Sequence, residues 1–118
     1  MHDFRRLEVW RSSIELAREI YAITDRMPPN ERFGLAAQMR SAAVSVSSNI
    51  AEGAGRGTSR ELARFLRIAV GSLTELSSQL ELAALLRLVD SQTELIADAD
   101  RLARQVMAFH DRISGVKR

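Results

Sequence analysis

The feature that most constrains this chain is a seam. Leu62, Leu66, Ala69, Leu73, Leu76, Leu80 and Ala83 recur at alternating steps of four and three residues. That spacing sets them on one stripe of an α-helix, the stripe used when two helices pack at a shallow angle. Leu95, Ala99, Leu102, Val106, Phe109 and Ile113 repeat the pattern. No run shows sustained period-two alternation rich in β-branched or aromatic residues, so no sheet is expected.

Punctuation between the apolar rows divides the chain into four helices. The first is expected over about 7–27, with two adjacent apolar rows, Val9, Leu16, Ile20, Ile23, Met27 and Trp10, Ile14, Ala17, Tyr21. Pro28-Pro29 stops it, because Pro lacks an N–H and the residue before a proline avoids the α region. Asn30 then reads as the N-cap of a second helix over about 31–52, with Leu35, Met39, Ala42, Val46 and Ile50 as its core row and Gly53 as its C-cap. Thr58-Ser59-Arg60-Glu61 reads as a capping box opening a third helix over about 59–88. Ser91-Gln92-Thr93-Glu94 reads as a second box opening a fourth over about 92–114, with Gly115 to Arg118 a frayed tail. Short connections make successive helices antiparallel neighbours. The expectation is a single all-α domain over residues 1–118, an antiparallel up-down four-helix bundle.

The second helix has an unusual outer side. Gln38, Ser41, Ser45, Ser48 and Glu52 form a row flanking its core, and Ala36, Ala43, Val44, Ser47 and Ala51 fill most of the rest. A solvent-facing helix normally carries a broad charged stripe, yet between Phe33 and Ala51 the only charge is Arg40. Gly71 falls inside the third helix opposite its leucine seam, where a glycine costs about 1 kcal/mol against alanine. Close approach of another protomer's helix accounts for both features. A central helix buried in its own bundle, and a tolerated surface glycine, are the alternatives. Gln38, Ser41, Ser45, Ser48, Glu52 and Gly71 are therefore the candidate oligomer interface.

Composition narrows the function classes. Cysteine is absent, so neither a disulfide framework nor a thiolate metal site is expected, which suits a reducing cytoplasm. No signal peptide or membrane span is expected, since the least charged stretch, 33–51, contains four serines, Gln38 and Asn49. The two histidines, His2 and His110, make no ligand set, and no nucleophile–base or metal signature appears, so no enzyme, metal or cofactor is expected. Gly53, Gly55 and Gly57 follow a helix and not a strand, which fails the context a dinucleotide site requires.

The basic residues are the positive signal. Arginine supplies sixteen of the seventeen, and Arg favours bidentate and interface contacts, although codon usage in a GC-rich genome gives the same bias. Residues 32–67 carry six Arg against Glu52 and Glu61, while residues 75–111 carry seven acids against three Arg. Such a two-signed surface suits head-to-tail assembly or one localised anionic partner. Arg60, Arg64 and Arg67 share one face of the third helix, with Arg56 just before its N-terminus. These four are the candidate polyanion-binding residues, for RNA or DNA backbone; pairing with the acids of a neighbouring subunit is the other reading.

Several stretches are recognisable together: Phe4-x-x-Leu7-x-Val9-Trp10; Phe33-Gly34-Leu35-x-x-Gln38-x-Arg40-x-Ala42-Ala43-x-Ser45-Val46-x-x-Asn49-Ile50-Ala51-Glu52-Gly53; and Phe65-Leu66-x-Ile68-Ala69-x-Gly71-Ser72. The chain resembles, over nearly its whole length, the bacterial four-helix-bundle family first described as proteins encoded within intervening sequences of 23S ribosomal RNA genes. That resemblance implies an up-down bundle, ring-like homopentamers and no established enzymatic activity. It extends to the accessory protein of diversity-generating retroelements, a basic pentameric barrel that binds nucleic acid and a reverse transcriptase. This chain's net charge of +2 and acidic fourth helix depart from that relative. The expected function is a non-enzymatic, homo-oligomeric assembly or adaptor protein whose partner is itself, with RNA, DNA or another protein as candidate further partners; the alternative is a nucleic-acid-binding accessory module using the arginine patch on the third helix.

Overall fold

The computed structural model describes residues 3–116; His2, Lys117 and Arg118 lie outside the described residues. Four helices follow in order: α1 (Glu8–Asp25), α2 (Leu35–Gly55), α3 (Ser59–Leu85) and α4 (Thr93–Ser114). Short 3₁₀ turns at Phe4–Arg6 and Pro29–Glu31 precede α1 and α2, and no strand occurs among the described residues. The seam is the core: Leu66, Leu73, Leu76 and Leu80 are completely buried with Ile20, Met39, Val46, Ile50 and Val106 in one cluster.

Side-chain contacts fix the directions. Ser45 of α2 meets Ser72 of α3 (Oγ–Oγ 2.9 Å), and further along α2 Gly53 meets Phe65 and Leu62, which come earlier in α3. The two helices are therefore antiparallel. Ser77 of α3 donates to Asp100 of α4 (2.8 Å), both about two turns from the connection that joins those helices. Along the α1–α4 edge, residues 6–12 share a groove with 105–112, and residues 12–19 share one with 98–105. Each helix packs on its chain neighbours and α1 on α4, which closes the up-down bundle.

The helix ends depart from the sequence reading in several places. Asn30 does not cap α2, because Pro29–Glu31 forms a 3₁₀ turn and α2 starts only after Gly34; its first amide is met by Glu31, whose Oε1 accepts from Leu35 N–H (3.3 Å). Gly53 is not a C-cap but a buried residue inside α2, which runs on to Gly55. A Cβ there would stand 2.8 Å from Phe65 Cβ and 3.3 Å from Leu62 Cα, so glycine is what lets α2 and α3 approach. The second capping box does not form: Gln92 is the N-cap of α4 without a side-chain bond, and Ser91 and Thr93 pair with each other (3.1 Å). In the first, Thr58 Oγ1 accepts from Glu61 N–H (3.2 Å), while the Glu61 carboxylate turns to Arg64.

α3 ends three residues earlier than expected, on an αL residue that is not glycine. Arg87 has φ 59°, its N–H reaches Ala84 O (3.0 Å), and Leu88 N–H reaches Ala83 O (2.9 Å). That is the bond pattern of a Schellman stop. It folds Leu88 back onto the core and leaves Leu85 79% and Leu86 55% exposed at the end of the helix.

The two interior glycines should behave oppositely. Gly53→Ala should destabilise the fold by about 1–3 kcal/mol through overpacking. Gly71 has no neighbour within 4 Å of its Cβ position, so Gly71→Ala in the isolated chain should stabilise by about 1 kcal/mol. Urea denaturation at a protein concentration too low for self-association checks both, and equal effects would contradict the assigned packing.

Candidate interaction surfaces

Antiparallel packing sorts the residues by end. The α2–α3 turn, the start of α1 and the end of α4 share one end, here called the base; the α1–α2 and α3–α4 connections share the other, the tip. Dividing each helix at its midpoint gives the base nine arginines (Arg5, Arg6, Arg11, Arg56, Arg60, Arg64, Arg67, Arg104, Arg112) against Asp3, Glu8, Glu15, Glu52, Glu61 and Asp111. The tip has six (Arg18, Arg26, Arg32, Arg40, Arg87, Arg101) against Glu19, Asp25, Glu31, Glu75, Glu81, Asp90, Glu94, Asp98 and Asp100. The described residues thus form a molecule of net charge near zero, polarised along its 43 Å axis.

The four arginines singled out from sequence do gather at the base, but not as four free charges. Arg56 pairs with Glu52 (2.7 Å) and Arg64 with Glu61 (3.0 Å). Their guanidiniums also cover the ring of Phe65, at 5.0 and 4.5 Å from its centroid. Phe65 is the aromatic group that sequence reasoning did not connect to the patch; it is buried, so it anchors the arginines and offers no free stacking face. Arg60 and Arg67 make no ion pair among the described residues and remain exposed. The Arg64 hydrogen bond holds the Glu61 carboxyl below the usual glutamate range, and the charges of Arg64, Arg56 and Arg60 add to this.

The candidate interface residues separate as well. Gln38, Ser41 and Ser48 are exposed. Ser45 is half-buried, held by Ser72 and by Asn49 Nδ2 (3.0 Å to Ser45 Oγ). Glu52 is taken by Arg56, and Gly71 is exposed beside open space. Arg40, the single charge expected on the outer side of α2, is drawn toward α1. Its Nε donates to Thr24 Oγ1 (2.7 Å), its Nη2 meets Asp25 (2.5 Å), and it stacks 4.6 Å from the Tyr21 centroid. What α2 presents to solvent is then Ala37, Gln38, Ser41, Val44, Ser48, Glu52 and Gly55, and its one charge, Glu52 near the base, is paired with Arg56. Partly exposed apolar groups flank that strip. Tyr21 is beside Arg40, Ile14 lies two turns before it on the same face of α1, and Ile68 lies one turn before Ser72 on α3. Each of these, like Val44, is 41–43% exposed.

A family model described as 23S rRNA-intervening sequence protein matches residues 5–108. The chain belongs to this family. The matched span takes in α1, α2, α3 and most of α4, so every surface described above lies inside it or at its margin. No curated protein matches the chain.

Little else gathers chemistry. Among the described residues no three His, Asp or Glu side chains converge as a metal-ion set, and no helix is long and apolar enough to cross a membrane. His110 is buried, its Nδ1 2.9 Å from Asp111 Oδ1, as a packed residue of α4.

A titration tests the Glu61–Arg64 pair. Because the Glu61 pKa is lowered on folding, its contribution to stability is present at neutral pH and is lost as pH falls through that lowered value, below the ordinary glutamate range. In Arg64→Gln the Glu61 midpoint should rise toward the ordinary range, read from its side-chain carboxyl carbon by NMR. An unmoved midpoint would assign the shift to another cause.

Proposed function

We propose that this protein is a non-enzymatic, self-assembling helical module whose copies join through the face centred on α2, which carries no unpaired charge. The observation that carries the reading is the removal of Arg40 from that face. A basic side chain that could have solvated the strip is hydrogen-bonded away, leaving small and apolar groups across three helices. Contiguous exposed apolar surface on a small domain marks an interaction site. The outward small residues permit close helix approach, and the open space at Gly71 leaves room for it. Different faces meeting in a heterologous contact close a ring, and the family resemblance implies five copies. The module needs no cofactor, and its place is the cytoplasm.

Light scattering should give the wild type a mass several times 13.2 kDa. Ser41→Arg with Ser48→Arg should reduce it to the monomer mass without loss of helicity, since both side chains are exposed. A wild type that stays monomeric at all concentrations rejects the reading.

A second reading has its own observation: Arg60 and Arg67 stand unpaired at the basic end. They fit the phosphates of RNA or DNA without reading bases, so binding would be steeply salt-dependent. A ring would repeat the pair and multiply its avidity. Arg60→Glu with Arg67→Glu should abolish nucleic-acid retention on a filter at low salt while leaving oligomer mass intact. No retention by the wild type under those conditions would leave assembly alone.

A further inference from the structure

A groove runs between the start of α1 and the end of α4, at the base, with a volume of about 480 Å³. Leu7, Val9 and Phe109 give it apolar walls, and Arg6, Arg11 and Arg112 stand around it. None of these three arginines makes an ion pair among the described residues. Arg112 lies over the Phe109 ring (5.3 Å), and among the described residues Arg11 donates only to the backbone oxygen of Arg5 (3.4 Å). Glu8 is the single acid of the lining. Such a groove suits an apolar side chain flanked by carboxylates.

That chemistry is present on this chain, at the opposite end. Leu85 and Leu86 stand exposed where the Arg87 stop ends α3. Glu81 lies one turn before Leu85 on the same face, and Asp90 and Glu94 follow in and just after the connection to α4. Glu81, Asp90 and Glu94 outnumber Arg87, so this apolar knob is acidic.

We propose that the leucine knob at the tip of one copy docks in the arginine-bordered groove at the base of another. The partner is a second copy of this chain, and the argument is charge complementarity between two unpartnered surfaces that one molecule cannot bring together. The contact is heterologous, so it joins copies end to end and leaves a free knob and a free groove at the ends of every chain of copies. It shares with the proposed function the idea that copies associate, but it uses none of the α2 face. It is a small contact in which charge does much of the work, so it is weak and salt-sensitive.

The test separates the two contacts by working in the Ser41→Arg, Ser48→Arg background, where the α2 face cannot pair. Sedimentation velocity at low salt (about 20 mM) should show association beyond the monomer, lost at about 0.5 M salt. Arg11→Glu with Arg112→Glu removes the groove, and Leu85→Ser with Leu86→Ser removes the knob. All four side chains are exposed, and circular dichroism checks that both variants keep their helices. Each variant alone should be monomeric at low salt. Mixed in equal amounts they should form a one-to-one pair and nothing larger, because one supplies the only intact knob and the other the only intact groove. A monomeric background at low salt, association by either variant alone, or a mixture that forms no pair overturns the proposal. None of these results bears on whether the wild type pairs through α2.

Discussion

The close approach of α2 to α3 at Gly53 sets much of what this molecule can do. With no Cβ in the way, Phe65 and Leu62 seat against the α2 backbone, and the antiparallel register follows down to the Ser45–Ser72 contact. The same seating carries Phe65 to the base, where Arg56 and Arg64 close over its ring and draw in Glu52 and Glu61. One missing methyl group thus fixes a helix pair, a cation–π cluster and the ion pairs that halve the charge of the basic patch. Movement of α3 by the width of a methyl group would disturb all three together, since interiors packed to this density transmit displacement.

The apolar rows were legible because burial leaves a period in the sequence. Every residue of the α3 seam is buried, and so are Leu95, Ala99, Leu102 and Val106 of α4. The rows fail near the ends of helices: Phe109 and Ile113 were expected inward, but His110 is the buried residue and those two are only partly covered. Gly53 was misread because a glycine followed by a Gly-rich turn has the composition of a cap; close packing leaves no local signature to distinguish it. The stop at Arg87 was illegible for the converse reason. A C″ leucine with a core to pack against can hold an arginine at positive φ where glycine is the usual choice.

The surfaces were less legible than the core, since which charges are free depends on pairing. Sequence order placed an acidic excess in residues 75–111 and a basic one in residues 32–67. The fold redistributes both, because an antiparallel bundle brings the start of α3 together with the end of α4 and the start of α1. The resulting axis, arginine-rich at the base and carboxylate-rich at the tip, belongs to no continuous segment. Arg40 illustrates the same point on one residue. By sequence it is the charge that solvates α2; in the fold it is the residue whose bonds to Thr24 and Asp25 leave α2 uncovered.

That arrangement gives lateral and axial contacts different physical characters. The side centred on α2 is neutral, built of small residues, and any association there is governed by apolar area and fit, which salt does not weaken. The two ends are charged and carry exposed apolar groups of limited extent, so association there is governed by fields that salt screens over about 10 Å at 0.1 M. A bundle whose four outer faces were all charged would gain solubility and have no neutral side on which the proposed lateral contact could form. One whose ends were neutral would stack without direction. If copies join as proposed, the neutral side and polarised axis together distinguish beside from above, and that distinction is written in where the arginines are tied down.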